Sequence, residues 1–251
     1  MPEYRAFFHF HHELRDFFTE PDTALSVQYG FDGTPSVKDA IEALGVPHTE
    51  VDAIVVNGAP VGFGYHLADG DAVSVYPASF GPDLPSTVAL RGKPRPLFVV
   101  DVNLGKLARL LRMLGFDAAY RNDFHDREIV ELAAGEGRIV LTRDRRLLRF
   151  KIIEHGYWLR SDDPNVQISE VVKRYALSPI IKPFKRCLVC NGVIEPVEKE
   201  KILDRLEPKT ILYFDDFFIC SGCSKIYWKG SHYDHMNKTL GFLKGSSLGK
   251  P

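Results

Sequence analysis

The chain has 251 residues, 45% of them hydrophobic and 26% charged, with a formal net charge of −1. That length suits two or three small domains, and the composition is ordinary for a soluble globular protein. No apolar run approaches the ~18–20 residues of a membrane span, and Met1-Pro2-Glu3-Tyr4-Arg5-Ala6 lacks the apolar core of a signal peptide, so the expectation is a cytoplasmic protein with no membrane partner.

In chain order, residues 1–80 read as one unit. Residues 4–10 and 25–29 are strand candidates. Ser36 through Gly45 is a short helix: Ser36 is the N-cap, Asp39 completes a capping box and Gly45 stops it. Residues 53–56 form a strand, Asn57-Gly58 a tight turn, and Asp69-Gly70-Asp71 a turn before a strand over 72–76. Two strands, a helix and then more strands is a β-grasp order. Residues 81–95, rich in Pro and Gly with Arg91, Lys93 and Arg95, read as a semi-extended linker.

Residues 96–178 alternate strand and helix, which predicts a parallel sheet with right-handed crossovers. Strands are expected at 97–101, 117–120, 138–142 and 157–160, with helices at 103–114, 127–134, 145–154 and 166–175. In the first helix the apolar residues 104, 107, 108, 111 and 114 share one face, and Gly115 ends it. Residues 182–243 carry all four cysteines as Cys187-x-x-Cys190 and Cys220-x-x-Cys223, with 29 residues between the pairs. Two such knuckles with no spare cysteine favour one structural Zn²⁺ over disulfides. His232 and His235 follow closely, as surface or RNA-facing groups. The aromatic residues Phe214, Phe217, Phe218, Tyr227, Trp228 and Tyr233 stack on bases or cover the zinc core. Residues 244–251 are expected to be a disordered tail.

Two of the core strands end on aspartate, Asp101 and Asp144. The carboxyl edge of such strands is where open α/β sheets bind ligands. Two carboxylates there repel unless a hard cation lies between them, Mg²⁺ being the usual one. A metal-dependent site that cleaves phosphodiesters is the first hypothesis. Each acid also has a plainer reading: Asp123 and Asp126 as helix caps, Asp144 as the partner of Arg143, Arg145 or Arg146 in an exposed ion pair. No Gly-x-Gly-x-x-Gly follows a strand and no P-loop is present, which argues against a nucleotide-cofactor site. Charge is uneven. Residues 1–94 hold 5 Lys/Arg against 13 Asp/Glu, a balance of −8, while 95–180 carry +3 and 181–251 carry +4. A basic surround suits a nucleic-acid enzyme, and places RNA on residues 91–251.

The first unit, through Gly45-Val46-Pro47, Glu50–Gly58 (EVDAIVVNG) and Asp69-Gly70-Asp71 with Val73-Ser74-Val75-Tyr76-Pro77, resembles the ubiquitin-like sulfur-carrier proteins. Those end in a free Gly-Gly, whereas here the chain continues past Tyr76-Pro77. The expectation is a recognition or packing module with a protein partner.

The central unit resembles the mut-seven C-terminal RNase family, a branch of the PIN-like nucleases. The matching residues are Asp101-Val102-Asn103-Leu104-Gly105-Lys106-Leu107-Ala108, Leu110 to Asp117, Asp126-Arg127-Glu128-Ile129 and Arg138 to Asp144. The resemblance implies an α/β chain with a PIN-like parallel-sheet core, a ubiquitin-like domain before it and a zinc ribbon after it. It implies Mg²⁺- or Mn²⁺-dependent RNA cleavage, with Asp101, Asp126 and Asp144 as metal-binding acids and Asp123 as a fourth member. The second acid that many such sites carry after the third strand is Arg146 here, with Asp162 or Asp163 as substitutes. Asn103 either holds a water or the substrate, or caps the first helix. Arg143, Arg145, Arg146 and Arg149 neutralise phosphates, or Arg145, Arg146 and Arg149 form a solvated helix face. The competing readings are a non-catalytic RNA-binding adaptor and a scaffold in sulfur transfer built on the β-grasp domain.

Overall fold

The computed structural model describes residues 2–19, 26–77 and 90–230. These divide into two compact units: one of Met1–Arg95 with Asp126–Trp158, the other of Pro96–His125 with Leu159–Pro251. The expected linker tip, the residues around His232 and His235, and the 244–251 tail lie outside the described residues.

The first unit opens with a five-stranded sheet. Its strands are β1 (Tyr4–Phe10), β2 (Val27–Phe31), β3 (Val51–Val56), β4 (Ala59–Val61) and β5 (Ala72–Pro77), in the order β2-β1-β5-β3-β4. Only β1–β5 is parallel. Helix α1 (Val37–Ala43) crosses one face, and Phe8, Phe10, Ile41, Ile54 and Val75 fill the space between. Alternation along β1 puts Ala6, Phe8 and Phe10 inward. Ser36 is the N-cap as expected, the Asp39 N–H donating to Ser36 Oγ at 3.1 Å; in place of the reciprocal half of the capping box, the Ser36 hydroxyl donates to Asp39 Oδ2 at 2.7 Å. Asn57 and Gly58 both have positive φ, 51° and 83°, the turn that lets β3 and β4 pair as a hairpin. The second strand starts two residues later than the sequence suggests.

At the end of β1, His11 stacks on Tyr76 with ring centroids 4.1 Å apart. Burial, then the nearby His9, His12 and Arg15, lowers its pKa to about 4. An unfolded histidine titrates near ~6.5. The unfolded chain therefore binds this proton first, and stability is full above about pH 6.5 and falls as pH drops from there towards about 4. Unfolding midpoints measured across that window should show the loss, and His11→Gln should flatten it.

The same unit contains helix α3 (Asp126–Glu136) and the parallel pair β8 (Ile139–Thr142) and β9 (Gly156–Trp158). All four residues of β8 are buried. The helix expected over 145–154 is absent. In its place is a 3-10 turn at Leu147–Arg149 with Phe150 extended behind it. The reason is tertiary: the carbonyl of Leu148 accepts from Thr49 Oγ1 at 3.4 Å, and that of Ile153 lies 3.0 Å from His48 Nε2. A helix over 145–154 would have used the Leu148 carbonyl internally, while the Ile153 carbonyl, among its last four, would have needed an outside partner in either case. Burial agrees, since Leu147, Leu148 and Ile153 are inside while Ile152 is 60% exposed.

The second unit begins with β6 (Leu97–Val100), α2 (Gly105–Met113) and β7 (Asp117–Ala119), with β6 and β7 parallel. Helix α2 buries Leu104, Leu107, Ala108, Leu111 and Leu114, the face expected from the spacing, and packs on α4 (Pro164–Arg174). Gly115 follows at φ +94°, where a Cβ would sit 2.0 Å from the Lys182 carbonyl oxygen, so only glycine fits. The last elements are β10 (Ile194–Val197), α5 (Pro208–Tyr213), β11 (Phe217–Cys220) and β12 (Ile226–Trp228), the three strands forming an antiparallel sheet in that order. Among the described residues no helix is long and apolar enough to cross a membrane.

Candidate functional site

The four cysteines converge. Their sulfurs lie within 4.8 Å of one another, with Cys187–Cys223 at 3.6 Å and Cys190–Cys220 at 3.3 Å, and all are free thiols. Four Zn–S bonds of ~2.3 Å in a tetrahedron give S···S edges of about 3.8 Å, so this cradle fits the ion. Its shape comes from the knuckle turns. The amides of Asn191 and Ser224 donate back to the carbonyls of Cys187 and Cys220, and both residues take positive φ. A Cβ on Gly192 would lie 2.8 Å from Cys220 Sγ. Burial alone would push the Cys187 thiol up, but the Tyr227 hydroxyl at 3.0 Å and neighbouring amides bring it down to about 6. Burial pushes Cys190 up to about 12. A divalent cation would offset that burial penalty, because coordination deprotonates thiols.

The first knuckle is fastened to β7. Asn191 donates to Asp117 Oδ1 at 2.8 Å and accepts from the Ala118 N–H at 3.0 Å, and Arg186 pairs with Asp117 at 3.0 Å. Buried Arg112 of α2 donates to the carbonyls of Ala118 (2.9 and 3.0 Å) and Val189 (2.9 Å). Burial pushes its guanidinium down from the usual range, against the pull of Cys187, Cys190 and Asp117. Arg112 is hard to single out in the sequence because it shares its helix with the exposed Arg109. Its position between apolar neighbours at 111 and 113–114 was the available signal. Arg112→Met should cost about 1–3 kcal/mol by stripping donors from buried carbonyls, read as a lower midpoint in denaturant.

The carboxylates occupy distinct local settings. Asp101 directly follows β6, whose Phe98, Val99 and Val100 are fully buried, and is itself only 9% exposed. Its carbonyl accepts from the Leu104 N–H, opening a 3-10 turn over Val102–Leu104. Asp144 follows β8 by two residues. Its N–H donates to Thr142 Oγ1 at 2.8 Å, and its Oδ1 accepts from the Arg146 N–H at 2.8 Å, an Asx turn that fixes the carboxylate. Arg146 Nε is 3.8 Å away on a side chain 93% exposed, an ion pair of little energetic weight. Asp126 is the first residue of α3, within its first turn rather than at the cap, where the helix dipole favours an anion. Asp123 is exposed, and Arg121 Nε at 2.9 Å holds its carboxyl below the usual range.

Three side chains have roles other than those offered by the sequence. Asn103 does not cap: it lies exposed inside the 3-10 turn, and α2 starts after Leu104 with no side-chain cap. Asp163 is the N-cap of α4, accepting from the Asn165 N–H at 2.7 Å, which commits it to the helix. Arg145 is neither solvated nor on a helix. Its guanidinium donates to the carbonyls of Phe17 (3.1 Å) and Asp16 (3.3 Å), and it lies 3.8 Å over the Trp158 ring. Arg143, Arg146 and Arg149 are exposed. Of the aromatic residues expected to stack, Phe217 is buried and Tyr227 packs on the cysteine cluster, while Trp228 is 39% exposed.

Residues 96–240 match the family described as Mut7-C RNAse domain, and residues 3–81 match the one described as Mut7-C ubiquitin. Among solved structures the chain is similar to H. volcanii small archaeal modifier protein 1, at 19% identity and a TM-score of 0.24, over 30% of this chain and 97% of that one. No curated protein matches the chain.

Proposed function

The chain belongs to the Mut7-C RNAse domain family, with the Mut7-C ubiquitin domain ahead of it, and from that membership we propose a metal-dependent ribonuclease whose acids are Asp101, Asp126 and Asp144, with Asp123 as a fourth member. The observation that carries the reading is that Asp101 and Asp144 each follow a buried parallel strand at its carboxyl end. Asp101 itself is only 9% exposed.

Carboxylate oxygens are the hard donors that Mg²⁺ and Mn²⁺ take. The Asx turn and the Arg146 pair use Oδ1 of Asp144, so Oδ2 remains as a ligand. When bound, such a cation polarises the phosphate and lowers the pKa of a water for in-line attack. The chain's own part is to hold and orient. Arg143 and Arg146 neutralise the phosphates flanking the scissile bond. Asn103, exposed beside Asp101, orients a water or the substrate. We further assign one structural Zn²⁺ to Cys187, Cys190, Cys220 and Cys223, in a ribbon spanning 182–243 that assists RNA binding. The acidic β-grasp module is assigned a protein partner, and the protein a cytoplasmic location. Carrier chemistry would need a free Gly-Gly terminus, whereas β5 leads into the rest of the chain. Cleavage of RNA with Mg²⁺ or Mn²⁺, against the same reaction in EDTA, tests the reading. Cleavage that survives chelation overturns it, and binding without cleavage would select the adaptor alternative.

A further inference from the structure

Asp144 is surrounded along the chain by fastenings to the β-grasp module. The residue after it, Arg145, donates to the carbonyls of Phe17 and Asp16 at 3.1 and 3.3 Å. Its guanidinium lies 3.8 Å over Trp158 and 5.1 Å from the Phe17 ring, and those two rings are 5.0 Å apart. Two residues before Asp144, Thr142 stands opposite Trp158 in the β8–β9 register. The Trp158 N–H donates to Glu50 Oε1 at 2.5 Å, from a module residue that is fully buried. Further on, Thr49 and His48 hold the carbonyls of Leu148 and Ile153, and Glu42 Oε1 lies 2.6 Å from the other ring nitrogen of His48.

These contacts bear on one side chain. The Asp144 carboxylate is aimed by its Asx turn, which involves only Thr142, Asp144 and Arg146. Beyond Thr142 the strand has ended, and the 145–154 segment forms one 3-10 turn instead of a helix. Stiffness of this loop is therefore supplied from outside it. A planar guanidinium held by two carbonyls and stacked on an indole is a rigid anchor, which a flexible ammonium cannot reproduce. We propose that Arg145, Trp158, Phe17 and Glu50 are positioning residues through which the β-grasp module sets the direction of the Asp144 carboxylate, making the module a brace of the candidate metal site. The inference rests on the reading of Asp144 as a metal ligand.

A brace and a phosphate contact differ in what they change. Supporting residues around a metal ligand typically shift metal affinity by about 10- to 100-fold. A phosphate contact shifts RNA affinity and its salt slope. The experiment uses the full chain with Arg145→Ala, Arg145→Lys and Trp158→Leu, and Arg127→Ala as the reference loss of an exposed positive charge. Three quantities are measured: Mn²⁺ affinity by calorimetry, KM for RNA, and amide exchange of Asp144 and Arg146 in metal-free protein.

The expected result is that Arg145→Ala weakens Mn²⁺ binding by about 10-fold or more, speeds exchange at both amides and leaves KM for RNA unchanged. Arg145→Lys should not rescue it. Trp158→Leu, which removes no charge, should act in the same direction, and this second variant decides the matter if Arg145→Ala does not fold. A higher KM with Mn²⁺ affinity intact, rescued by Arg145→Lys, would make Arg145 a phosphate contact and overturn the brace alone. A wild-type protein that neither binds Mn²⁺ nor cleaves RNA would overturn the metal reading together with the brace.

Discussion

Asp101→Asn and Asp144→Asn should each lower RNA cleavage by at least about 10²–10³-fold, the order seen when one group that stabilises transition-state charge is removed. Both changes keep the side-chain shape and one acceptor oxygen while replacing the other oxygen by an NH₂ donor and removing the charge, so folding is expected to survive. Asp101 gives the sharper test, because the residue is only 9% exposed at the end of β6. Repulsion between carboxylates gathered at a metal-free site opposes folding, and a neutral amide relieves it. The metal-free Asp101→Asn protein should therefore melt at the same temperature as the wild type or higher, while the wild type alone gains stability from added Mn²⁺. Cleavage and melting curves recorded on one preparation check both halves. An active Asp101→Asn protein would remove this residue from the site.

Loss of zinc is expected to have the second largest effect. Purified protein should carry about one zinc per chain. Chelation, or Cys187→Ser, should unfold β10–β12, since apparent binding free energies at structural sites are about 10–16 kcal/mol and are drawn from folding itself. The core of this sheet is small: Cys187, Ile194 and Cys220, with Phe218 and Tyr227 against them. The damage should reach β7. Asn191 and Arg112 join that strand to the knuckle, and both rely on the turn that Cys187 begins. Amide exchange should show β10, β11, β12 and β7 losing protection, with β1, β3 and β5 unchanged. Faster exchange across the β-grasp sheet, or metal-free protein with the ribbon still protected, would count against this account.

Much of the fold is written locally. The Ser36 cap, the Asn57-Gly58 turn and the apolar face of α2 each depend on residues within a few positions of one another, and each formed as the spacing required. The same holds for β6 and β8, whose continuous apolar runs could satisfy their side chains only as buried strands. The four thiols were equally legible, because metal-ligand spacing within each knuckle is a local property.

Contacts between distant residues decided the rest. The 145–154 segment has helical composition, yet Thr49 and His48, about a hundred positions away, hold its carbonyls and keep it irregular. Arg145 looked like any cation in a basic run until Phe17, Asp16 and Trp158 were placed around it. Arg112 looked like a surface residue until β7 and the first cysteine knuckle closed over it. Asn103 and Asp163 exchanged expectations for the same reason: which residue caps a helix depends on where the helix starts, and that follows from packing. The sequence by itself determined the elements and the residue types available for chemistry, because periodicity, turn conformation and ligand spacing are short-range. Only the tertiary structure decided which charged side chains are committed to the protein's own carbonyls, because a buried polar group must find its partner wherever the fold brings one.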